Sequence, residues 1–419
     1  MSERIVILGN SAAALAAVRA YRARGGQGVV TLVSRESCDA YSPVLTTYYL
    51  RGQIPEERLF VCDGAFYEAA GVEKVFNRSA VALDTRAQTV TLDDGAALAY
   101  DKLLIATGAS PRRLEGLSAE VSERVLYLRT LDDARRIMRG AEAAARVVVV
   151  GGGLVSLQVA AALAREGRRV TGIVSSGQIL SQNVDAEAAA IIQRHLEENA
   201  PIDFVFGVDV AAVARVGWGF QVSAGSGEHF EVDAVVVGKG VRPNLDFVDT
   251  ETVDVGRGVV VDGYLRTSAE NIYAAGDVSE GINRLTGLLE PVPTWTSACE
   301  QGRVAGMNLA GADVEYDGSF PENVTTFFGL RVASLGRARV RVDDRGLRIL
   351  VHREGRAGYR KLVLEGDRLV GALLVGDIDD AGVLRDVIAR GGHLGMAEER
   401  VLRGELSQAD RLLACWSGE

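Results

Sequence analysis

Two glycine turns carry the residues best suited to chemistry in this chain. One reads Gly9-Asn10-Ser11-Ala12-Ala13-Ala14 and the other Gly151-Gly152-Gly153-Leu154-Val155-Ser156. Each follows a β-branched apolar run and opens an alanine-rich one. A strand that ends in glycine and passes directly into a helix turns backbone N–H groups and a positive helix end toward a pyrophosphate. Both turns are therefore dinucleotide sites in form, with Gly9, Ser11, Ala12 and Ala13 at one and Gly151, Gly153, Leu154 and Val155 at the other. The G-x-G-x-x-G pattern is met in part. Ala14 and Ser156 at the last position still allow close helix–strand approach, whereas Ser11 brings a Cβ and a hydroxyl to the phosphate at the middle position.

The elements that must position these turns follow from the flanking pattern. A strand is expected after each helix, and VVTLVS (29–34) and RVTGIV (169–174) supply it. An acidic residue at the end of such a strand commonly holds ribose hydroxyls. Here the first strand ends at Ser34, with Arg35 and Glu36 next, and Ser175 and Ser176 follow the second, so ribose recognition is left open at both. The apolar stretch 147–163 contains three consecutive glycines and Gln158, which divide it into a buried strand and a helix rather than a membrane span.

The bulk composition agrees with a multi-domain globular protein. With 419 residues, 47% hydrophobic, the chain is too long for one ordinary core, and three domains are expected. The 46 basic against 56 acidic residues argue against nucleic-acid binding. The start of the chain shows no leader pattern, which predicts a cytoplasmic protein. Cys38, Cys62, Cys299 and Cys415 form no C-x-x-C pair, so neither a metal site nor a redox disulfide is expected. His195, His229, His352 and His393 stand in contexts that read as solvated or core histidines.

Three further stretches give the turns a common meaning: YDKLLIATGASPRRL (100–114), DAVVVGKGVRPNLDF (233–247) and NIYAAGDVSEG (271–281). In this order, over essentially the whole chain, the set resembles the two-dinucleotide flavoprotein reductases of the pyridine nucleotide–disulfide oxidoreductase superfamily. The resemblance implies that the first turn binds FAD and the second NAD(P)H. It further places Thr107, Gly108, Asp277 and Val81 at the FAD, together with Ser34, Arg35 and Glu36. Trp295 and Thr296 open a helix whose positive end would face the flavin pyrimidine. At the NAD(P)H it places Gln158, Ser175, Ser176, Gly238 and Gly240. NADH is expected over NADPH, because Ser175 and Ser176 lack the positive charge recruited to a 2′-phosphate.

The segment AYSPVLTTYYLRG (40–52) resembles the flavin-approaching loop of rubredoxin, nitric oxide and nitrite reductase flavoproteins and places Ser42 and Pro43 near the ring. Relatives that use a thiol carry a redox cysteine where Val44 stands. Many of the rubredoxin reductase kind pair a lysine with a glutamate near the flavin, and those positions are Pro43 and Gln158. Their joint absence avoids a stranded buried charge. No residue is singled out as catalytic; Pro43, Gln158 and Trp295 are the candidates nearest the flavin.

The expected fold is α/β: two Rossmann-like domains, FAD (1–112 and 250–322) and NAD(P)H (113–249), with a C-terminal α+β interface domain (323–419). Its arginines, Arg337, Arg339, Arg341, Arg345, Arg348 and Arg353, suit either a docking patch for an acidic protein or an ordinary exposed strand face, and the latter is favoured. The ending ADRLLACWSGE, with Leu412, Leu413 and Trp416, suits a partner, a homodimer mate or the chain's own last domain. The function expected is transfer of electrons between NAD(H) and an iron–sulfur protein, or an iron–sulfur subunit of a complex such as an aldehyde or 2-oxoacid oxidoreductase. The alternatives are an NADH oxidase or peroxidase and a non-catalytic FAD-bearing sensor or assembly module.

Overall fold

The computed structural model describes residues 2–340 and 344–405. Two compact units divide the chain. The first contains the residues up to Leu45, Ile54–Ser110 and Val241–Phe320; the second contains Thr46–Gln53, Pro111–Gly240 and the described residues from Pro321 on. Arg341 and the segment with Leu412, Leu413, Cys415 and Trp416 lie outside the described residues.

In the first unit a five-stranded parallel sheet runs in the order Ile272–Ala274, Lys102–Ile105, Arg4–Leu8, Val29–Ser34, Val72–Phe76. The central strand Arg4–Leu8 buries Ile5, Val6, Ile7 and Leu8, covered on both faces, which is why it reads as a continuous apolar run and not an alternation. Beside it the helix Ala12–Ala23 packs along the helix Trp295–Leu309. Their backbones nearly touch. A Cβ on Gly302 would lie 2.1 Å from the Ala13 carbonyl oxygen, and one on Gly306 would lie 2.2 Å from that of Ala17. Glycines four residues apart lie on one face of a helix, and here that face admits no side chain. The same unit holds a three-stranded antiparallel sheet, Ala80–Asp84, Thr89–Leu92 and Ala97–Ala99.

The second unit repeats the device. Its parallel sheet runs Ile202–Phe206, Arg169–Val174, Arg146–Val150, Ala234–Val237, Leu126–Tyr127. The apolar stretch 147–163 divides into the strand Arg146–Val150 and the helix Leu154–Arg165. Among the described residues no helix is long and apolar enough to cross a membrane. The helix Leu131–Ala141 begins with a complete capping box, in which Thr130 and Asp133 exchange side chain-to-backbone bonds. An antiparallel meander, Val210–Val216, Gly219–Ala224 and His229–Val232, packs Val213, Phe220 and Val222 with Val148, Val150 and Ile173 of the parallel sheet.

The C-terminal part is a five-stranded antiparallel sheet, Glu322–Phe327, Leu330–Gly336, Arg368–Val375, Gly358–Glu365, Leu347–Glu354, with the helix Ala381–Arg390. It is anchored within its unit by charge. Lys361, almost fully buried, places Nζ 2.5 Å from the Asp185 carboxylate, to which the Tyr359 hydroxyl donates at 2.8 Å. Asp185 also caps the helix Ala186–Asn199 by accepting from the Ala188 amide.

Candidate functional site

In the first unit, Gly9 ends the central strand at φ +130°, and a Cβ there would stand 2.1 Å from the Ala106 carbonyl oxygen. Only glycine fits both the conformation and the space. The helix that follows starts at Ala12, and Ser11, its N-cap, makes no side-chain capping bond, so the first-turn amides face outward without a serine across them. A strand–glycine–helix turn of this geometry has the form that can cradle a phosphate. Asn10 ties the turn to its surroundings: its Oδ1 accepts the Tyr67 hydroxyl at 2.8 Å, and its Nδ2 donates to the Cys38 carbonyl at 3.3 Å. Tyr67 is buried, which pushes its hydroxyl pKa up and keeps it a donor.

Past the end of the second strand, Ser34 accepts the Glu36 amide at 3.2 Å, and the Glu36 carboxylate accepts the Tyr41 hydroxyl at 2.6 Å. Arg35 reaches Ser110 at 2.9 Å. The Arg78 amide bonds the Ser34 carbonyl, so the strand bearing exposed Val81 starts close to this strand end. Ser42 is buried, and Pro43 begins a short 3-10 turn in which Val44 is 54% exposed.

Thr107 and Gly108, with Gly108 at φ +64°, are stitched by a residue the sequence reading did not single out. Asn244 donates to the Thr107 carbonyl at 2.7 Å, accepts Ser110 at 2.6 Å, and through its own amide bonds Gly108 at 3.0 Å, while Thr107 donates to the Asn244 carbonyl at 2.9 Å. A polar residue directly after a proline in the quoted VRPN stretch was the available signal. Asp277 follows Gly276 in the turn between the strand Ile272–Ala274 and Ser279. Trp295 opens its helix behind the N-cap Thr294 and packs partly buried against this unit's core, with Thr296 exposed beside it.

In the second unit, Gly151 at φ +113° would place a Cβ 2.4 Å from the Gly238 carbonyl, and Ser156 donates to that same carbonyl at 2.9 Å. Gly153, the N-cap of Leu154–Arg165, is a different case. Its φ of −81° suits any residue, and a Cβ there would meet nothing within 4 Å. Neither conformation nor packing demands glycine at this position; open space beside first-turn amides is what a pyrophosphate needs. Val155 is exposed and Leu154 half-buried on the same turn. Ser175 is exposed, while Ser176 donates to the Gln178 carbonyl. Lys239, between Gly238 and Gly240, is ion-paired with Asp209 at 2.5 Å. The lysine hydrogen bond holds the Asp209 carboxyl below the usual range.

Gln158 is buried, and within its unit it donates to the Thr325 hydroxyl and, at 3.4 Å, to the Thr326 carbonyl; among the described residues its Oε1 has no hydrogen-bond partner. The strand it meets, Glu322–Phe327, is one the sequence reading passed over. Of the C-terminal arginines, Arg337 pairs with Asp344, Arg348 with Glu398 and Arg353 with Glu187, while Arg339 bonds Gln182. These pairings favour the ordinary strand-face reading over an open basic patch. His195 bonds the Phe328 carbonyl, and His393 pairs with Asp367. Among the described residues no cluster suits a metal ion. Burial pushes the Cys299 thiol pKa up, away from a reactive thiolate.

Comparison with known proteins accords with this architecture. The family model of pyridine nucleotide-disulphide oxidoreductases matches residues 3–302, and that of the rubredoxin NAD+ reductase C-terminal domain matches residues 321–391. The chain is 31% identical over 416 residues to the NADH-dependent phenylglyoxylate dehydrogenase subunit epsilon of Aromatoleum evansii, covering 98% of this chain and 97% of that one. It is 33% identical over 309 residues to the rubredoxin-NAD(+) reductase of Pseudomonas putida, covering 73% and 80%. A chain in the crystal structure of the covalent putidaredoxin reductase–putidaredoxin complex matches with a TM-score of 0.84 at 26% identity, covering 97% and 99%. The chain thus belongs to the pyridine nucleotide-disulphide oxidoreductase family, with a C-terminal domain of the rubredoxin NAD+ reductase type.

Proposed function

We propose that this protein is an FAD-dependent oxidoreductase that moves electrons between NADH and an iron–sulfur protein, or an iron–sulfur subunit of a larger dehydrogenase complex. The observation that carries the reading is a pair of strand–glycine–helix turns of dinucleotide-binding form, one built around Gly9 and the other around Gly151, each closed to a Cβ by a neighbouring carbonyl. One cofactor does not need two. The relatives supply the direction: one is named as an NADH-dependent dehydrogenase subunit, another as a rubredoxin reductase.

In this reading residues 1–112 and 250–322 form the FAD domain, 113–249 the NADH domain, and 323–419 an interface domain. Amides at the start of the helix Ala12–Ala23 hold the FAD pyrophosphate, Glu36 takes its ribose hydroxyls, and Asp277 takes its ribityl portion. The N-terminal end of the helix Trp295–Leu309 favours negative charge on the bound ring. What FAD supplies when bound is the conversion of a two-electron hydride transfer into single-electron transfers. Gly151, Gly153 and the first-turn amides of Leu154–Arg165 receive the NADH pyrophosphate. NADH is preferred over NADPH because Ser175 and Ser176 bring no cation and Lys239 is already neutralised by Asp209. A cytoplasmic location belongs to the same reading.

The test is anaerobic titration of the purified, FAD-reconstituted protein with NADH and with NADPH. Bleaching of the flavin band by NADH at the lower concentration is expected. A colourless protein after reconstitution contradicts the reading.

A further inference from the structure

We infer that Gln301 is a positioning residue that fixes the Gly276–Asp277 turn for FAD; the inference rests on the FAD reading above. Gly276 sits at φ +84°, and a Cβ there would stand 3.3 Å from Ala13 Cβ and 3.6 Å from Ala298 Cβ. Glycine is required, and it brings little conformational preference of its own. Hydrogen bonds on the peptide groups around Gly276 therefore help to set the direction in which Asp277 leaves the turn. The Gly276 carbonyl accepts from the Ser279 amide at 2.9 Å and from the Ser279 hydroxyl at 2.9 Å. The Gly276 amide donates to Gln301 Oε1 at 2.7 Å, and the Ser279 hydroxyl also approaches that oxygen at 3.0 Å.

One buried side-chain oxygen, on a residue only 4% exposed, thus closes the turn from the helix side. Its place on the helix matters as much as its bonds. Gln301 immediately precedes Gly302, where a Cβ would collide with the Ala13 carbonyl, and it shares a helix with Trp295 and Thr296. Three segments assigned to FAD therefore meet at one point: the start of the first-turn helix, the Asp277 turn and the Trp295 helix. Gln301 sets their mutual register. A glutamine that only filled a polar gap in the core would have no such consequence for the flavin.

Two substitutions separate these roles. Gln301→Leu keeps the approximate volume and removes the acceptor, leaving the Gly276 amide unbonded; Gln301→Glu keeps an oxygen at the same reach. Asn308→Leu serves as the stability control, since Asn308 is buried on the same helix and bonds Tyr264 and Val314 instead of the turn. FAD affinity by apoprotein titration, the visible circular dichroism of bound flavin and apoprotein melting are measured for all four proteins.

Gln301→Leu is expected to raise the FAD dissociation constant about tenfold or more, as loss of one buried bond allows, and to change the flavin dichroism. Gln301→Glu should restore both most of the way, while Asn308→Leu lowers melting without altering the dichroism. The inference is overturned if Gln301→Leu binds FAD with unchanged affinity and dichroism, or if its losses merely match those of Asn308→Leu. A wild-type protein that binds no FAD would instead overturn the parent reading, and this inference with it.

Discussion

The two glycine turns solve the same steric problem and then diverge. At Gly9 and Gly151 the chain excludes a Cβ in the same way, with a carbonyl from a neighbouring strand end pressed against the turn. Around the first turn the protein supplies a dense set of tethers: Asn10 to Tyr67 and Cys38, Gly302 against Ala13, Gln301 to the Asp277 turn, and Asn244 across the Thr107–Gly108 crossing. Around the second, Gly153 faces open space, and Val155 and Ser175 are exposed. A pre-organised, enclosed cradle reduces the ordering cost of binding and favours long residence, whereas an open one favours exchange. The contrast suits one dinucleotide that stays and one that comes and goes.

The strongest way to break the comparison is Gly9→Ala. A Cβ in a disfavoured conformation against the Ala106 carbonyl should cost about 3 kcal/mol or more in the first unit. Loss of bound FAD and a lowered melting transition are the expected readouts. If the variant stays yellow and equally stable, the cradle is not what holds the cofactor.

The second turn is steadied from another direction. Leu180, itself at φ +50°, donates its amide to the Gly152 carbonyl at 2.7 Å, and the segment continues to Asp185, where Lys361 is anchored. Asp185→Ala strands a buried ammonium and is expected to cost about 3–5 kcal/mol in the second unit, measured by denaturant unfolding. Burial opposes ionisation of Asp185, but the hydrogen bonds from Lys361 and the Ala188 amide outweigh it and leave the carboxyl below its usual pKa. The sign follows directly. A depressed folded pKa contributes stability that is present above the unfolded value of about 4 and is lost as pH falls through the folded one. Asp185→Asn should therefore lower the melting temperature at pH 7 and narrow its gap to wild type below pH about 4. A gap that widens on acidification contradicts the assignment.

Gly153→Ala sharpens the comparison, because it touches the ligand side alone. Stability should stay within about 0.5 kcal/mol, since the added methyl meets nothing in the chain. The KM for NADH should rise about tenfold, the cost of crowding a pyrophosphate by roughly 1.4 kcal/mol. An unchanged KM would mean that the open space serves something else. The smallest effect is expected from Cys38→Ser, which should leave flavin reduction by NADH intact, as no thiol relay is proposed. Loss of reduction with FAD content unchanged would restore the thiol to the mechanism.

The sequence made the local elements legible and left the long-range polar contacts hidden. The strands 29–34 and 169–174 and the helices after each turn follow from apolar runs closed by glycine, because those signals act over a few neighbouring residues. Asn244 and Gln301 escaped notice for the opposite reason. Their partners, Thr107 and Gly276, are remote in sequence, and a polar residue in a helix or after a proline carries no mark of what it will meet. The strand Glu322–Phe327 was passed over because ENVTTF is short and lacks a strong apolar alternation, yet it takes the inner face of Gln158. The arginines of the last domain were already legible as an ordinary strand face rather than a docking surface, and the pairing of Arg337, Arg348 and Arg353 with Asp344, Glu398 and Glu187 agrees with that reading.

The most direct test of electron transfer to an iron–sulfur partner is a stopped-flow comparison of reoxidation. Protein carrying FAD is first reduced with one equivalent of NADH under anaerobic conditions, then mixed either with an oxidised [2Fe–2S] ferredoxin or with oxygenated buffer. The account predicts that NADH bleaches the flavin and that the ferredoxin restores its colour faster than oxygen does at equal concentration. Failure of NADH to reduce the flavin, or reoxidation by oxygen at least as fast as by the ferredoxin, would contradict it.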